Sequence, residues 1–114
     1  DAETAMTMPR AIAFRARVQA NDPLALSRRD VLEMRAARSA WRQALDRAGV
    51  TLDDLSLVET HDCFTIAEML EYEAMGLTEP GQGHRAIREG VTHRDGRLPV
   101  NLSGGLKSKG HPIS

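Results

Sequence analysis

Apolar and polar residues alternate from Ala11 to Val18, with Ile12, Phe14, Ala16 and Val18 on one side and Ala11, Ala13, Arg15 and Arg17 on the other. A period of two suits a half-buried strand, so this stretch is predicted as one. Asn21-Asp22-Pro23 ends it, because proline lacks an N–H donor and keeps the residue before it out of helical geometry. The spacing then changes to threes and fours. Val31, Met34, Ala37, Trp41, Leu45 and Ala48 predict a helix from about Asp30 to Ala48, with Asp30 or Ser27 as N-cap and Gly49 as a left-handed stop. Leu55 to Thr60 is a short apolar run that predicts a buried strand. Phe64 to Met75 predicts a second helix, with Ile66, Met69, Leu70 and Leu77 on one stripe and Gly76 at its end. Residues 78–97 are rich in glycine and read as a long loop with one helical turn at Arg85–Glu89. Leu98-Pro99-Val100 predicts a brief strand, and Asn101 to Gly110 a loop.

The resulting order, β-α-β-α-long loop-β, is an α/β class, with a parallel strand pair joined by a right-handed crossover. Residues 1–10 lack periodicity and are expected as a disordered lead-in, leaving 11–114 as a single domain. Composition narrows the partners. Fifteen Lys and Arg against sixteen Asp and Glu leave a net charge of -1, so no field is built in for nucleic acid or anionic lipid. Aromatic residues at 4% leave few platforms for stacking bases. One cysteine, Cys63, rules out an internal disulfide and fits a reducing compartment. With no long apolar run either, the chain is expected to be soluble and cytoplasmic. It opens at Asp1 and stops just after His111-Pro112, which suggests an internal piece of a longer protein.

Four histidines, His61, His84, His93 and His111, invite a search for metal ligands, but neither C-x-x-C nor H-E-x-x-H is present, so no metal is expected. Cys63 reads as a small packed residue rather than a nucleophile. Gly105 to Gly110 has phosphate-loop spacing, yet His111 and Pro112 stand where lysine and a hydroxyl should follow, which excludes an ATP site. Its glycines still let backbone approach a ligand closely. Gly110 and Pro112 hold His111 at a set angle, and His61 sits at a strand-to-helix switch. Such imidazoles can donate to a developing oxyanion or move a proton near neutral pH. Two of them in loop junctions favour acyl or carbonyl chemistry, although each taken singly also fits a structural histidine.

His61-Asp62-Cys63-Phe64, followed by Asn101-Leu102-Ser103-Gly104-Gly105 and then Gly110-His111-Pro112-Ile113, resembles the C-terminal half of the thiolase superfamily. The branch is that of the sterol-carrier-protein-type thiolases and acetyl-CoA acetyltransferases, where His-Asp-Cys/Ala-Phe replaces Asn-Glu-Ala-Phe. The resemblance implies a partial thiolase-like fold lacking its last helix and strands. It implies that His111 and His61 form an oxyanion hole for an acyl-CoA thioester, while Phe64, Gly104, Gly105 and Gly110 line the substrate pocket. No cofactor is implied beyond coenzyme A thioester as substrate. The partners implied are the missing N-terminal half and, in the parent protein, further copies of itself.

The family's nucleophilic cysteine belongs to that missing half, and Cys63 matches neither family cysteine, so the chain alone is expected to be inactive. Leu102 stands where the branch has proline, and Ser114 where it has glycine. Missing layers also imply an exposed apolar face. The expected activity is thiolysis of a 3-oxoacyl-CoA or the reverse Claisen condensation. The alternatives are a thiolase-fold retro-aldolase acting on an acyl-CoA and a non-catalytic module that binds CoA or a partner.

Overall fold

A computed structural model describes residues 1–112; Ile113 and Ser114, where the expected domain ends and the second departure from the family pattern falls, lie outside the described residues. Among the described residues the α-helices are α1 (Ala2–Met6), α2 (Arg35–Ala48), α3 (Thr65–Ala74), α4 (Gly83–Arg88) and α5 (Gly105–Lys109). Helix α1 falls within the lead-in, and the Asp1 carboxylate caps it by accepting from the Thr4 N–H at 2.7 Å.

Helix α2 begins at Arg35 rather than Asp30. The Asp30 carboxylate is taken by the Leu32 N–H at 2.9 Å, a local turn that competes with a helical start. Met34 then adopts a left-handed φ of 43°. The first turn is served from elsewhere in the chain: Asp22 Oδ2 accepts from the Ala36 N–H at 3.3 Å. At the other end Gly49, with φ 65°, stops the helix as its spacing implies.

Helix α3 lies within its expected bounds but buries a different face. Ile66 is 55% exposed, whereas Glu71, Tyr72, Ala74 and Met75 are buried. The core decides this. Val58, Tyr72, Met75, Ala86 and Leu98 form its centre, with Trp41, Leu52, Leu55, Leu77 and Val100 packed against them. Tyr72 can enter because its hydroxyl donates to Glu68 Oε1 at 2.6 Å, which satisfies the buried polar end.

The predicted strand at Ala11–Val18 does not form. Side-chain alternation is present, but a strand also needs a neighbour to complete its hydrogen bonds. Here Arg15 donates to the Ala48 carbonyl at 2.6 Å and Arg47 to the Arg17 carbonyl at 3.0 Å, so the extended segment is tied to the end of α2. Ile12 and Phe14 are 92% and 87% exposed. The expected parallel pair with a crossover through α2 is therefore absent among the described residues. A single parallel bridge joins Val58 to Val100 instead, made by Val58 N–H to the Pro99 carbonyl at 2.9 Å and Asn101 N–H to the Val58 carbonyl at 2.8 Å. What was expected as an α/β sheet is thus mostly helical, and the strands at Leu55–Thr60 and Leu98–Val100 shrink to this contact. Among the described residues no helix is long and apolar enough to cross a membrane.

Candidate active site

The bridge brings two chemistry-bearing segments side by side, and two carboxylates lock them. Glu59 Oε1 accepts from the Ser103 N–H at 2.9 Å, and its Oε2 accepts from the Ser103 hydroxyl at 2.5 Å and from Lys109 Nζ at 2.9 Å. Asp62 Oδ1 accepts from the Leu106 N–H at 2.9 Å. Asn101 adds a further tie, its Oδ1 accepting from the Thr60 N–H at 2.9 Å.

The Asp62 contact explains a helix that local pattern did not suggest. Asn101 to Gly110 reads as loop because glycines and turn residues dominate it, yet α5 forms inside it, its first turn capped by a side chain more than forty residues away in sequence. Gly104 and Gly105 have φ of 89° and 62°, and a Cβ at Gly105 would run into the Asp62 carboxylate. That close approach is the reason for glycine there.

At the open end of this clasp stand the two histidines. The rings of His61 and His111 lie edge to face, with centroids 4.7 Å apart and planes at 83°. Both are exposed. His111 Nδ1 is 2.7 Å from the Pro112 carbonyl oxygen, which can only accept, so Nδ1 carries the hydrogen. In the neutral ring Nε2 is then a free base, and in the imidazolium it is a donor. Gly110, with φ 84°, makes the bend that turns His111 back toward His61. Phe64, three residues after His61 at the entry to α3, is 70% exposed. Cys63 is exposed and free rather than packed as expected. His84 and His93 take no part in the His61–His111 contact. Among the described residues no three His, Cys, Asp or Glu side chains gather in a metal-binding arrangement.

Electrostatics separate the carboxylates. The Ser103 hydroxyl, then Lys109 and the Ser103 amide, hold the Glu59 carboxyl down to about 2. Its contribution to folding is therefore complete above the ordinary value of 4.5 and is lost as pH falls toward 2. Either Glu59→Ala or acidification from pH 5 to 2.5 is expected to open the clasp. Protection factors of the Ser103 and Leu106 amides, each rate taken relative to its intrinsic rate at the same pH, should fall at least tenfold; unchanged protection in both experiments would show that Glu59 does not hold this loop.

Glu71 behaves in the opposite way. It is 8% exposed, and burial, reinforced by Glu68 and Asp62, pushes its carboxyl up to about 7 against the pull of the His61 backbone amide. It borders a cavity of about 420 Å³ with His61, Thr60, Trp41 and Val18. Sequence reasoning missed Glu71, having placed the apolar stripe of α3 on another face. The signal available was a glutamate in helical register with Glu68 and Met75, both on the face that turned inward.

The family profile described as "Thiolase C-terminal domain-like" matches residues 18–114. An acetyl-CoA acetyltransferase of Methanothermobacter thermautotrophicus is 46% identical over 103 residues, covering 90% of this chain and 27% of that protein. Human sterol carrier protein 2 is 42% identical over 77 residues, covering 68% of this chain and 14% of that protein. The benzoylsuccinyl-CoA thiolase subunit BbsB of Thauera aromatica is 38% identical over 85 residues, covering 75% of this chain and 22% of that one. The chain thus spans 27% of the length of the acetyl-CoA acetyltransferase and less of the other two.

Proposed function

Because the chain belongs to the thiolase C-terminal-domain-like family, we propose that it is part of an acyl-CoA C-acyltransferase, to which it contributes the His61 and His111 imidazoles that polarise a thioester carbonyl. The observation carrying this reading is the 4.7 Å approach of the two rings from segments fastened by Glu59 and Asp62. A cysteine thiol from the remainder of the protein attacks the 3-oxo carbon of a 3-oxoacyl-CoA. His111 Nε2 takes the thiol proton, and the carbonyl electron pair moves onto oxygen. As the carbon–carbon bond breaks, the charge passes to the thioester oxygen of the leaving enolate, where it is met by N–H groups of His61 and the protonated His111. The enolate takes a proton back from His111 and leaves as acetyl-CoA, and the thiol of free CoA then takes the acyl group from cysteine, its proton passing to the cysteine sulfur. The reverse sequence is the Claisen condensation. Phe64 and the Gly104, Gly105 and Gly110 backbone line the approach to this point.

The test uses the whole protein that contains this chain. His61→Ala and His111→Ala are each expected to lower kcat for thiolysis about 10²–10³-fold, the usual cost of removing one oxyanion donor. Near-unchanged thiolysis in both variants would overturn the reading. Release of an aldehyde or ketone without thiol consumption would replace it with lyase chemistry using the same pair. The 114-residue chain by itself should show no turnover, since it holds no cysteine in register with the family nucleophile.

A further inference from the structure

Asn101 stands where the two histidine-bearing segments part, in a backbone conformation that does not suit it. Its φ is 54°, in the left-handed region that side chains disfavour and glycine enters freely. The same loop uses glycine for that region at Gly104 and Gly105. A costly conformation kept at a half-buried residue calls for something glycine could not supply. Backbone bonds are not the reason. Asn101 N–H donates to the Val58 carbonyl at 2.8 Å, and its carbonyl accepts from the Gly104 N–H at 2.9 Å, and a glycine would make both.

The side chain supplies the difference. In a parallel ladder continued from the Val58–Val100 bridge, the next rung would run from the Thr60 N–H to the backbone carbonyl of Asn101. The left-handed turn sends that carbonyl to Gly104 instead, and the side-chain Oδ1 takes its place, accepting from the Thr60 N–H at 2.9 Å. Nδ2 lies 3.5 Å from Glu68 Oε1, the oxygen that also accepts from the Tyr72 hydroxyl at 2.6 Å. A carboxylate on one side and an N–H on the other fix which way round the amide lies. We infer that Asn101 is a positioning residue for His61: its amide completes the missing rung at Thr60, one residue before the imidazole, while its backbone starts the turn that leads to α5 and His111. The catalytic weight of this placement rests on the role proposed for His61; the hydrogen-bond pattern does not.

Asn101→Gly and Asn101→Asp separate side chain from backbone, and NMR of the 114-residue chain reads both. Glycine relieves the left-handed φ and keeps the backbone bonds but removes Oδ1, whereas aspartate keeps an acceptor there. In the glycine variant the protection factor of the Thr60 amide should fall about tenfold more than that of Gly104, the usual worth of one such bond. The cross-peak between the His61 and His111 rings should weaken with it. The aspartate variant should keep Thr60 protected. If Asn101 merely tolerates its turn, glycine serves as well, so equal changes at Thr60 and Gly104, or an undiminished ring cross-peak, overturn the inference. A loss at Thr60 as large with aspartate as with glycine overturns it too. Should the glycine variant fail to fold, the aspartate variant decides, retained Thr60 protection supporting the inference and lost protection overturning it. None of these readouts involves turnover, so their failure is separable from failure of the His61→Ala thiolysis test.

Discussion

Leu98→Ala is expected to destabilise the chain by about 2–5 kcal/mol, the range for emptying a fully buried leucine site. Leu98 is the most completely enclosed residue, at 0% exposure, and sits among Val58, Tyr72, Met75 and Ala86. Few aromatic side chains are available to close a gap, because the core is built largely from small and aliphatic residues. The backbone on either side is committed as well: Leu98 N–H donates to the Val91 carbonyl at 3.0 Å, and Pro99 and Val100 make the bridge to Val58. Cavity and bridge therefore cannot relax independently. A small domain has about 5–15 kcal/mol to lose, so much of the folded population is at risk. Urea unfolding followed by circular dichroism should show a lower midpoint with unchanged slope. A loss below about 1 kcal/mol would mean that Leu98 is not the centre of the core. The functional consequence is that His61 and His111 lose their common support.

Glu71→Gln is expected to stabilise the chain at pH 8 and not at pH 5. In the unfolded chain this carboxyl releases its proton near 4.5, while in the folded chain burial, helped by Glu68 and Asp62, retains it to about 7. Between those values the folded state binds more protons, so stability falls as pH rises through the window and is lowest above 7. The full difference corresponds to about 3 kcal/mol. The carboxamide removes that term but brings buried N–H groups of its own, at a cost of about 1 kcal/mol. A net gain of about 2 kcal/mol should remain at pH 8. Denaturant midpoints of the two proteins at pH 5 and pH 8 measure it. Equal differences at the two pH values would show that Glu71 is not desolvated.

These two residues also mark how far local pattern reaches. The helical periods placed α2 and α3 within a few residues, since a spacing of three and four is a property of neighbouring side chains. Gly49 was legible as a stop for the same reason. The inward face of α3 was not, because Ile66, Met69 and Leu70 form as good an apolar stripe as Tyr72 and Met75, and only the location of Leu98 and Val58 breaks the tie. Nor was the start of α2, where Asp22 supplies from fourteen residues away the bond that Asp30 spends on its own turn. For the candidate site, His61 and His111 were identifiable from their glycine, proline and junction settings and from their motifs. Their distance, and the carboxylates that hold them, were not.

Residue order alone was enough to establish the α2 and α3 segments, the absence of a disulfide framework and the motifs that tie the chain to its family, since each depends on near neighbours or on composition. Which residues become core, whether an alternating segment finds a strand partner, and that Glu59 and Asp62 draw α5 and His111 against His61 were decided by contacts between distant segments. Such contacts depend on burial and on the competition for hydrogen-bond partners across the whole fold, and no window of sequence contains that competition.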